Sequence, residues 1–495
     1  MNKTGMVAGL ALAALSLLAA PTMAQSKARR GEKAKAAAGV AGDWSGALDV
    51  GGIQLRLVAH FVKKPGGLVG TVDSLDQGAN GIPFSLVRQT GAQVHAEAAG
   101  IKAVYDGTLD ASGKTLTGKW SQGVPLPLTL TRMTAAMKAA LGRNDRPQEP
   151  KPPYPYTAED VSFPGGAAGV TLAGTLTLPP ASPSTGANGP FPAAVLISGS
   201  GPNDRDETLL RHKLFLVLAD SLARRGIAVL RYDKRGIGKS TGSYAQATSA
   251  DFADDAGAAF AYLKTQPRIN AHKIGLIGHS EGGLIAPMVA AKSSDVAFLV
   301  LLAGTGVSGE RILAEQAALI SHAEGASDAD VAKSQVVEKK LLAIAARETD
   351  PAAARTQIQA LMRQALATMT PAQKKAMGDP ALIIQAQSAA LASPWFRFFL
   401  TYDPVPTLKQ VRCPVLALDG SLDLQVPPAE NLAAIGAALK AGGNGDVTTT
   451  ELPGLNHLFQ TAHTGSPSEY GRIEETLAPV LLTTVGDWIA ARTRP

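Results

Sequence analysis

The sequence predicts a two-part protein: a small antiparallel β domain over residues 43–135, then an α/β domain over residues 158–495 with helices covering a mostly parallel sheet. Three observations predict this fold class. Short strands of alternating polarity occupy the first part, a proline-rich stretch separates the parts, and continuous apolar runs alternate with helical segments in the second. A chain of 495 residues is long enough for two or three domains.

The first 24 residues have the form of a secretory signal peptide. Lys3 precedes an apolar run from Val7 to Ala20, which is short for a bilayer span, and small residues precede a cleavage site after Ala24. An uncleaved membrane anchor is the alternative. We therefore expect an exported protein, periplasmic or secreted, with no membrane span, and a disordered basic tether over residues 25–42.

The formal net charge of +6 is concentrated near the amino terminus. Without Lys3 and the basic segment 27–35, the rest of the chain has a net charge of about +1. The sequence has no basic face with interleaved aromatic residues, so no nucleic-acid partner is expected. The single cysteine, Cys413, excludes an internal disulfide, and its apolar surroundings predict a buried structural thiol in a strand.

The β domain is predicted from alternation and turn residues. In "IQLRLVAHF", Ile53, Leu55, Leu57 and Phe61 alternate with polar residues, which is typical of a strand with one solvated face. The segment "YDGTLDASGKTLTGKW" reads as two strands around an Asp-Ala-Ser-Gly turn. Several such strands indicate a small barrel or sandwich.

The segment 143–157 is predicted to be a linker. It contains five prolines in fifteen residues, which excludes a helix or a central strand and favours a stiff polyproline-type connection.

After the linker, the runs "FPAAVLISG", "GIAVLRYD", "KIGLIG", "AFLVLLAG" and "CPVLALDG" are apolar on both faces, as in a buried parallel sheet. An insertion over residues 306–400, between the last two of these runs, has helical spacing and predicts a helical cap. It ends in "SPWFRFFLTYDP", whose aromatic residues either line a pocket or pack the cap on the sheet.

Two copies of the pattern Gly-x-Ser-x-Gly place Ser240 and Ser280 as candidate nucleophiles. Ser280 directly follows an apolar strand and precedes an apolar helical pattern, which is the context of a nucleophile elbow. Its neighbours Gly278 and Gly282 allow the backbones to pass closely. Ser240 follows a charged loop with no helix directly after it, so we interpret it as a turn residue.

A serine nucleophile needs a base and an acid that orients the base. His457 in "ELPGLNHLFQ" and Asp423 in "LDGSLDLQVPP" follow later strands, in the order Ser-Asp-His of this kind of fold. Asp419 competes with Asp423 but lies at the strand end, and His463 competes weakly with His457. For His279, beside the nucleophile, we expect a packed or hydrogen-bonded side chain.

The oxyanion hole requires two backbone N–H groups. One is expected from Glu281, directly after the nucleophile. The other is expected from Ser200 in "SGSGPNDRDE", where glycines permit a close approach to the substrate.

These residues resemble the α/β-hydrolase superfamily, and more narrowly its exported bacterial serine esterases with a "GHSEGG" elbow, a "GSGPNDRD" loop and an "RYDKRGIGKS" segment. The resemblance covers residues 159–492. It implies an eight-stranded, mostly parallel sheet, a cap between the sixth and seventh strands, and hydrolysis of short-acyl esters. Many relatives have His-Gly before the oxyanion residue, whereas this chain has Ser198 and Gly199, so the anchoring of that loop is expected to differ.

The predicted function is hydrolysis of small carboxylic esters through a Ser-His-Asp acyl-enzyme mechanism. A serine peptidase of the prolyl-oligopeptidase type is the alternative, although its usual propeller needs more β structure than this chain has. An acyltransferase, or a binding protein led by the β domain with lost catalysis, stays open. No cofactor is predicted, because "GSGPND" lacks the third glycine of a dinucleotide loop and "DKRGIGKS" has Asp233 where a phosphate loop needs glycine. No metal is predicted, because the sequence has no His-Glu-x-x-His motif and no clustered His/Cys set.

Overall fold

A computed structural model of the chain describes residues 39–493, except residues 51–52, 76–78, 123–124, 142–145, 181–188 and 370–379. The expected signal peptide and most of the expected tether lie outside the described residues. Within the described part of the chain, no helix is both long and apolar enough to cross a bilayer.

The amino-terminal domain is an antiparallel sheet of nine strands within the described residues. The strands are β1 (Gly42–Val50), β2 (Ile53–Lys64), β3 (Gly67–Ser74), β4 (Ala79–Pro83), β5 (Leu86–Thr90), β6 (Gln93–Ala98), β7 (Ala103–Leu109), β8 (Thr115–Ser121) and β9 (Pro125–Arg132). Their order is β2-β1-β9-β8-β7-β6-β5-β3-β4, and the pairing of β2 with β3 closes the sheet into a barrel with β4 beside β3. Of the two predicted alternatives, barrel and sandwich, the structure has the barrel.

Alternating side chains fill the inside of this barrel. Along β2, Leu55, Leu57 and Phe61 are buried, as the alternation predicted. Trp44 and Tyr105 are fully buried, and the Tyr105 hydroxyl donates to the Leu116 carbonyl at 3.1 Å. The apolar inward face therefore forms a packed core, as in other small barrels.

The end of the expected tether is ordered, which corrects its predicted boundary at residue 42. Val40 is buried in the barrel core, and its carbonyl accepts the Trp44 indole N–H at 2.8 Å. Arg132 donates to the carbonyls of Gly39 and Ala41 at 2.7 and 2.6 Å. An apolar side chain and three bonded carbonyls hold the chain against the barrel before β1 begins.

The proline-rich segment after the barrel is docked on the second domain. Arg146 is buried and donates to the carbonyls of Ile473, Leu210 and Gly471 at 2.9–3.0 Å. Gln148 binds the backbone of residues 476–477. The described part of this segment is thus fixed by polar side chains, and the strand that follows already begins at Thr157.

The second domain is built on a sheet of eight strands among the described residues, in the order β10-β11-β15-β12-β16-β17-β18-β19. They are β10 (Thr157–Pro164), β11 (Thr171–Leu178), β12 (Phe191–Ile197), β15 (Ala228–Tyr232), β16 (Ile269–His279), β17 (Leu299–Leu302), β18 (Val415–Gly420) and β19 (Val447–Leu452), with a separate hairpin of β13 (Thr208–Leu209) and β14 (His212–Lys213). β11 pairs antiparallel with both its neighbours and the other pairs are parallel.

Helices cover both faces of this sheet. The α-helices among the described residues are α1 (Ala135–Leu141), α2 (Leu214–Arg224), α3 (Ser249–Lys264), α4 (Glu281–Ala290), α5 (Gly309–Ala323), α6 (Asp328–Arg347), α7 (Pro351–Ala367), α8 (Pro380–Leu391), α9 (Pro394–Thr401), α10 (Val405–Leu408), α11 (Pro428–Ala441), α12 (Pro467–Tyr470) and α13 (Pro479–Thr493). On β12, Leu196 packs toward α2 and α13, whereas Val195 and Ile197 pack toward α3, α4 and α11. Burial on both faces explains the continuous apolar runs of the strands.

The helices α5 to α10 lie between β17 and β18, the sixth and seventh strands of the sheet, which confirms the predicted cap insertion. Capping residues mark the starts of three of these helices. The side chains of Ser327, Asp350 and Ser393 accept backbone N–H groups in the first turns of α6, α7 and α9. The cap has its own apolar core, which includes Leu341, Ile358, Phe396 and Leu400.

Candidate active site

Ser280 lies in a strained turn between a strand and a helix. It directly follows β16 and precedes α4, with φ 53° and ψ −116°. Its N–H donates to the Leu302 carbonyl at 2.8 Å. A Cβ atom at Gly282 would lie 1.9 Å from the Ile197 oxygen, so only glycine allows the chain to turn here. The turn presents the serine hydroxyl at the carboxyl end of the parallel strands.

The structure brings Ser280, His457 and Asp423 together from three separate loops. His457 Nε2 lies 3.1 Å from Ser280 Oγ, and His457 Nδ1 lies 2.7 Å from Asp423 Oδ2. The second oxygen of Asp423 accepts the N–H groups of Gln425 and Val426 at 2.7 and 2.9 Å. Both carboxylate oxygens are therefore bonded, and the aspartate can fix one imidazole orientation.

Asp419, the alternative acid, occupies a different position. It is fully buried at the end of β18, and burial together with the neighbouring Asp423 raises the pKa of its carboxyl well above the ordinary value. Burial also opposes the charge of Asp423, but His457 and hydrogen bonds from Asp419 and Val426 hold the pKa of Asp423 below its ordinary value. These opposite shifts favour a proton on Asp419 and a negative charge on Asp423.

The other candidates of the sequence lie elsewhere. The Ser240 hydroxyl is buried, donates to the Asp233 carbonyl at 2.7 Å and accepts the Ala173 N–H at 2.9 Å, so it braces a turn. His463 is exposed on a loop. Cys413 is partly buried, not fully buried as predicted, and it precedes β18 because the strand pairing begins at Val415. Its partial burial raises the pKa of the thiol to about 12.

The expected oxyanion-hole residues, Ser200 and Glu281, both line the cavity that contains Ser280 and His457. Glu281 begins α4, so its N–H group is one of the donors that a first helical turn leaves without a helical acceptor. The Asn203 side chain donates to the carbonyls of Gly199 and Ser200 at 2.7 and 3.1 Å and holds the loop.

A buried Glu207–His279 pair, which the sequence did not reveal, anchors this loop. Glu207 Oε1 accepts the Gly199 N–H at 2.5 Å and lies 3.0 Å from His279 Nδ1. His279 Nε2 lies 3.0 Å from the His457 carbonyl. Burial opposes a charge on His279, but the charge and hydrogen bond of Glu207 raise the pKa of the imidazole above its ordinary value. The Glu207–His279 pair thereby connects the loop of Gly199 and Ser200 to the loop of His457.

The side chain of Glu281 joins the elbow to the cap. Its carboxylate accepts hydrogen bonds from Ser249 Oγ at 2.7 Å, Lys234 Nζ at 3.0 Å and the Trp395 indole N–H at 2.6 Å. Lys234 also donates to the Gly199 carbonyl at 2.6 Å. The buried Lys234 therefore pairs with the carboxylate beside Ser280, and Trp395 connects α9 to the turn at Ser280.

The cavity beside Ser280 has a volume of about 50 Å³. Cap residues contribute much of its wall, including Trp395, Phe396 and Phe399 of the aromatic segment. Phe396 also packs in the core of the cap, so the aromatic segment has both of the predicted roles.

Residues of the segment "DKRGIGKS", which was considered as a phosphate-binding loop, have a structural role. Asp233 accepts hydrogen bonds from the Arg205 side chain at 2.9–3.1 Å, and Arg235 binds both oxygens of the buried Asp255 at 2.6 and 2.9 Å. In the part of the chain that is described, no group of three or more His, Cys, Asp and Glu side chains is placed to hold a metal ion.

Known proteins resemble the second domain. The Hydrolase_4 family, described as serine aminopeptidase, S33, matches residues 212–461, just over half of the chain. Esterase EstD of Thermotoga maritima is 34% identical over 141 residues, which are 28% of this chain and 31% of that protein. The chain thus matches about a third of the length of this relative.

Solved structures with a similar fold include an esterase of Pyrococcus furiosus, Pf2001, at 15% identity and a TM-score of 0.41, covering 68% of this chain and 91% of that one. Est1E of Butyrivibrio proteoclasticus, solved with ferulic acid, has 17% identity and a TM-score of 0.38, covering 67% and 98%. With a family match over half of its length and a sheet, elbow and cap of this architecture, the chain belongs to the serine aminopeptidase S33 family (Hydrolase_4) of the α/β-hydrolase superfamily.

Proposed function

We propose that the protein is a serine esterase that hydrolyses short-acyl carboxylic esters through an acyl-enzyme. The observation that carries the proposal is the hydrogen-bonded series Asp423–His457–Ser280, whose two contacts measure 2.7 and 3.1 Å and which opens into a small cavity. The esterase relative from Thermotoga maritima supports it.

In the first half of the reaction, Ser280 Oγ attacks the ester carbonyl while His457 Nε2 takes the hydroxyl proton. Asp423 holds the imidazole and stabilises the positive charge that forms on it. The oxyanion is bound by the N–H groups of Ser200 and Glu281. His457 then gives its proton to the leaving alcohol.

In the second half, water attacks the acyl-enzyme and His457 takes its proton. The tetrahedral intermediate uses the same two N–H groups, and Ser280 leaves as the hydroxyl when His457 returns the proton. The proposal is supported by the common position of Ser280, His457, Ser200 and Glu281 in the wall of one cavity, with Asp423 bonded to the far side of the His457 ring.

The size of the cavity favours short acyl groups. A buried water needs about 10–15 Å³ by the same measure of volume, so about 50 Å³ has room for roughly four water-sized groups. This corresponds to acyl chains of two to four carbons.

Peptidase activity is the second candidate, because the family description names an aminopeptidase. An aminopeptidase must bind the ammonium group of its substrate, which calls for a free carboxylate. Among the described cavity residues the only acidic one is Glu281, and Lys234, Ser249 and Trp395 already bind its carboxylate. The cavity therefore favours an ester over a free amino terminus.

The test is the initial rate of the purified protein on p-nitrophenyl esters of increasing acyl length and on aminoacyl and prolyl p-nitroanilides. Ser280→Ala should lose ester turnover by at least about 10³-fold. Ser240→Ala is the matched control, since it alters the other Gly-x-Ser-x-Gly copy and should retain turnover. Efficient anilide cleavage would replace the esterase proposal by the peptidase, and turnover that survives Ser280→Ala would refute both.

A further inference from the structure

The carbonyl of Gly199 accepts two side-chain hydrogen bonds beside the nucleophile. Lys234 Nζ donates to it at 2.6 Å, and Asn203 Nδ2 donates to it at 2.7 Å. Gly199 itself lies against Ser280, since a Cβ atom at Gly199 would lie 3.2 Å from the Ser280 Cβ. Two donors from different side chains therefore fix the direction of one carbonyl next to the nucleophile.

This carbonyl belongs to the same peptide unit as the Ser200 N–H group. The peptide is trans, so its C=O and N–H bonds point in opposite directions, and the N–H group is directed away from Lys234 and Asn203. Among the described residues the Ser200 N–H group donates to no acceptor, and Ser200 lines the cavity that contains Ser280. The bonds to the Gly199 carbonyl therefore set the direction of an unused donor.

Lys234 is held in one position by its surroundings. Its side chain is 4% exposed, and Nζ lies 3.0 Å from Glu281 Oε2 and 4.5 Å from the centre of the Phe252 ring. An ammonium group has three N–H donors, and the Gly199 carbonyl, the Glu281 carboxylate and the Phe252 ring lie within reach of them. Lys234 therefore cannot turn away from the carbonyl without breaking a buried ion pair.

The Lys234–Glu281 ion pair also connects the two N–H groups expected to form the oxyanion hole. The Glu281 carboxylate holds Lys234, and the Glu281 backbone N–H is the other donor of the cavity wall with no acceptor among the described residues. A buried ion pair adds little stability by itself, because desolvation offsets the attraction of the charges. Its position between the two donors points instead to a role in holding them.

We propose that Lys234, assisted by Asn203, is a positioning residue of the oxyanion hole: it holds the Gly199 carbonyl so that the Ser200 N–H group faces the oxyanion. This inference rests on the proposed acyl-enzyme mechanism. Lys234 acts through the peptide and does not contact the substrate. Because the negative charge on oxygen forms only during the reaction, a correctly aligned N–H group stabilises the tetrahedral intermediate more than the bound ester.

The first test is Lys234→Met, which keeps an unbranched side chain and removes the donor. Loss of a whole oxyanion donor lowers kcat by about 10²–10³-fold, so misalignment of one should lower kcat on a short-acyl p-nitrophenyl ester by about 10–100-fold. KM should change by less than about threefold. A short-chain trifluoromethyl ketone forms an adduct with Ser280 that carries an oxyanion, so its inhibition constant should rise by the factor by which kcat/KM falls.

Arg235→Met is the matched control. Arg235 is the next residue of the chain, and it forms a buried ion pair with Asp255 at 2.6 and 2.9 Å. None of its described hydrogen bonds or ion pairs is with Gly199 or Ser200. The variant loses a buried ion pair and should lower the melting temperature, as Lys234→Met does, but kcat and the inhibition constant should stay within about threefold of the parent values.

Two further variants keep the inference testable if Lys234→Met does not fold. Lys234→Met combined with Glu281→Gln leaves no unpaired buried charge and keeps the backbone N–H of residue 281, and it should show the same loss of kcat. Asn203→Ala removes the other donor to the Gly199 carbonyl from a half-buried loop side chain. It should lower kcat and raise the inhibition constant in parallel, by about 3–10-fold.

The outcomes separate the two proposals. Ser280-dependent ester turnover with kcat retained in the Lys234 variants would overturn the inference and leave the esterase in place. A fall in kcat without a matching rise in the inhibition constant, or an equal fall in Arg235→Met, would also overturn it. If neither Lys234 variant folds, unchanged kinetics of Asn203→Ala would do the same. Absence of any Ser280-dependent turnover would overturn the proposed function and this inference with it.

Discussion

The Glu207–His279 pair offers a sharp test of how the active-site loops are held. The change is Glu207→Gln, which keeps the shape of the side chain and an oxygen that can accept from Gly199, but removes the negative charge. Without that charge, burial dominates, and the pKa of His279 falls below its ordinary value. A neutral imidazole carries only one N–H, so one of the two bonds, to residue 207 or to the His457 carbonyl, is lost.

The expected size of the effect follows from these bonds. A hydrogen bond to a charged group contributes about 1.5–3 kcal/mol, so the free energy of unfolding should fall by roughly that amount at pH 7. Loss of a whole oxyanion donor lowers kcat by about 10²–10³-fold, and a displaced Ser200 loop should cause a smaller loss of about 10–100-fold. KM should change little, because the loop binds the oxyanion more strongly than the ground-state carbonyl.

The assay combines urea unfolding with kcat and KM on a short-acyl p-nitrophenyl ester. Glu338→Gln is the matched control. Glu338 is also buried, but burial alone raises the pKa of its carboxyl to about 8, so it is neutral at pH 7 and an amide changes little. Glu207→Gln with unchanged kcat and unchanged unfolding free energy would show that the pair does not position the loops.

Two further predictions concern the cap. Glu338 has a pKa of about 8 in the folded chain against an ordinary 4.5. Between these pH values the folded chain binds a proton that the unfolded chain does not, so the free energy of unfolding should fall by a few kcal/mol as pH rises from 5 to 8. Urea unfolding at both pH values should show a smaller fall for Glu338→Gln; equal falls would contradict the assignment. Trp395→Phe removes the indole bond to Glu281 and should speed hydrogen exchange in α9 by about 10-fold, whereas unchanged exchange would mean that this bond does not hold the cap.

Much of the fold could be predicted because burial leaves a direct mark on sequence. The strands β16 and β17 are buried on both faces, so they are continuous apolar runs in the sequence. Such runs predicted a covered parallel sheet, and this fold class was confirmed. The barrel was predicted only as far as its strands. Alternation along β2 shows which side chains are inside, but the closing contact with β3 is a pairing between strands, and the hydrophobic pattern is the same in a sandwich.

The elements of the candidate site differ in the same way. Ser280 could be chosen over Ser240 from local context, since a strand, two glycines and a helix adjoin it in the chain. Glu207, by contrast, lies 72 residues from His279, and Lys234 lies 47 residues from Glu281. Nothing in the "DRDETLL" segment marks Glu207 as a partner, because its role arises only where two loops meet.

By itself, the sequence determined the class of the fold, the strand–turn–helix context of Ser280, the cap insertion, and His457 and Asp423 as the candidates for a base and an acid. These follow from local rules: the period of apolar residues, the small size of glycine, and the chemistry of single side chains. The tertiary structure decided which aspartate lies beside His457 and which cap residues share a cavity wall with Ser280. Such facts depend on distances between residues far apart in the chain, and folding fixes those distances through the packing of the whole sheet and cap.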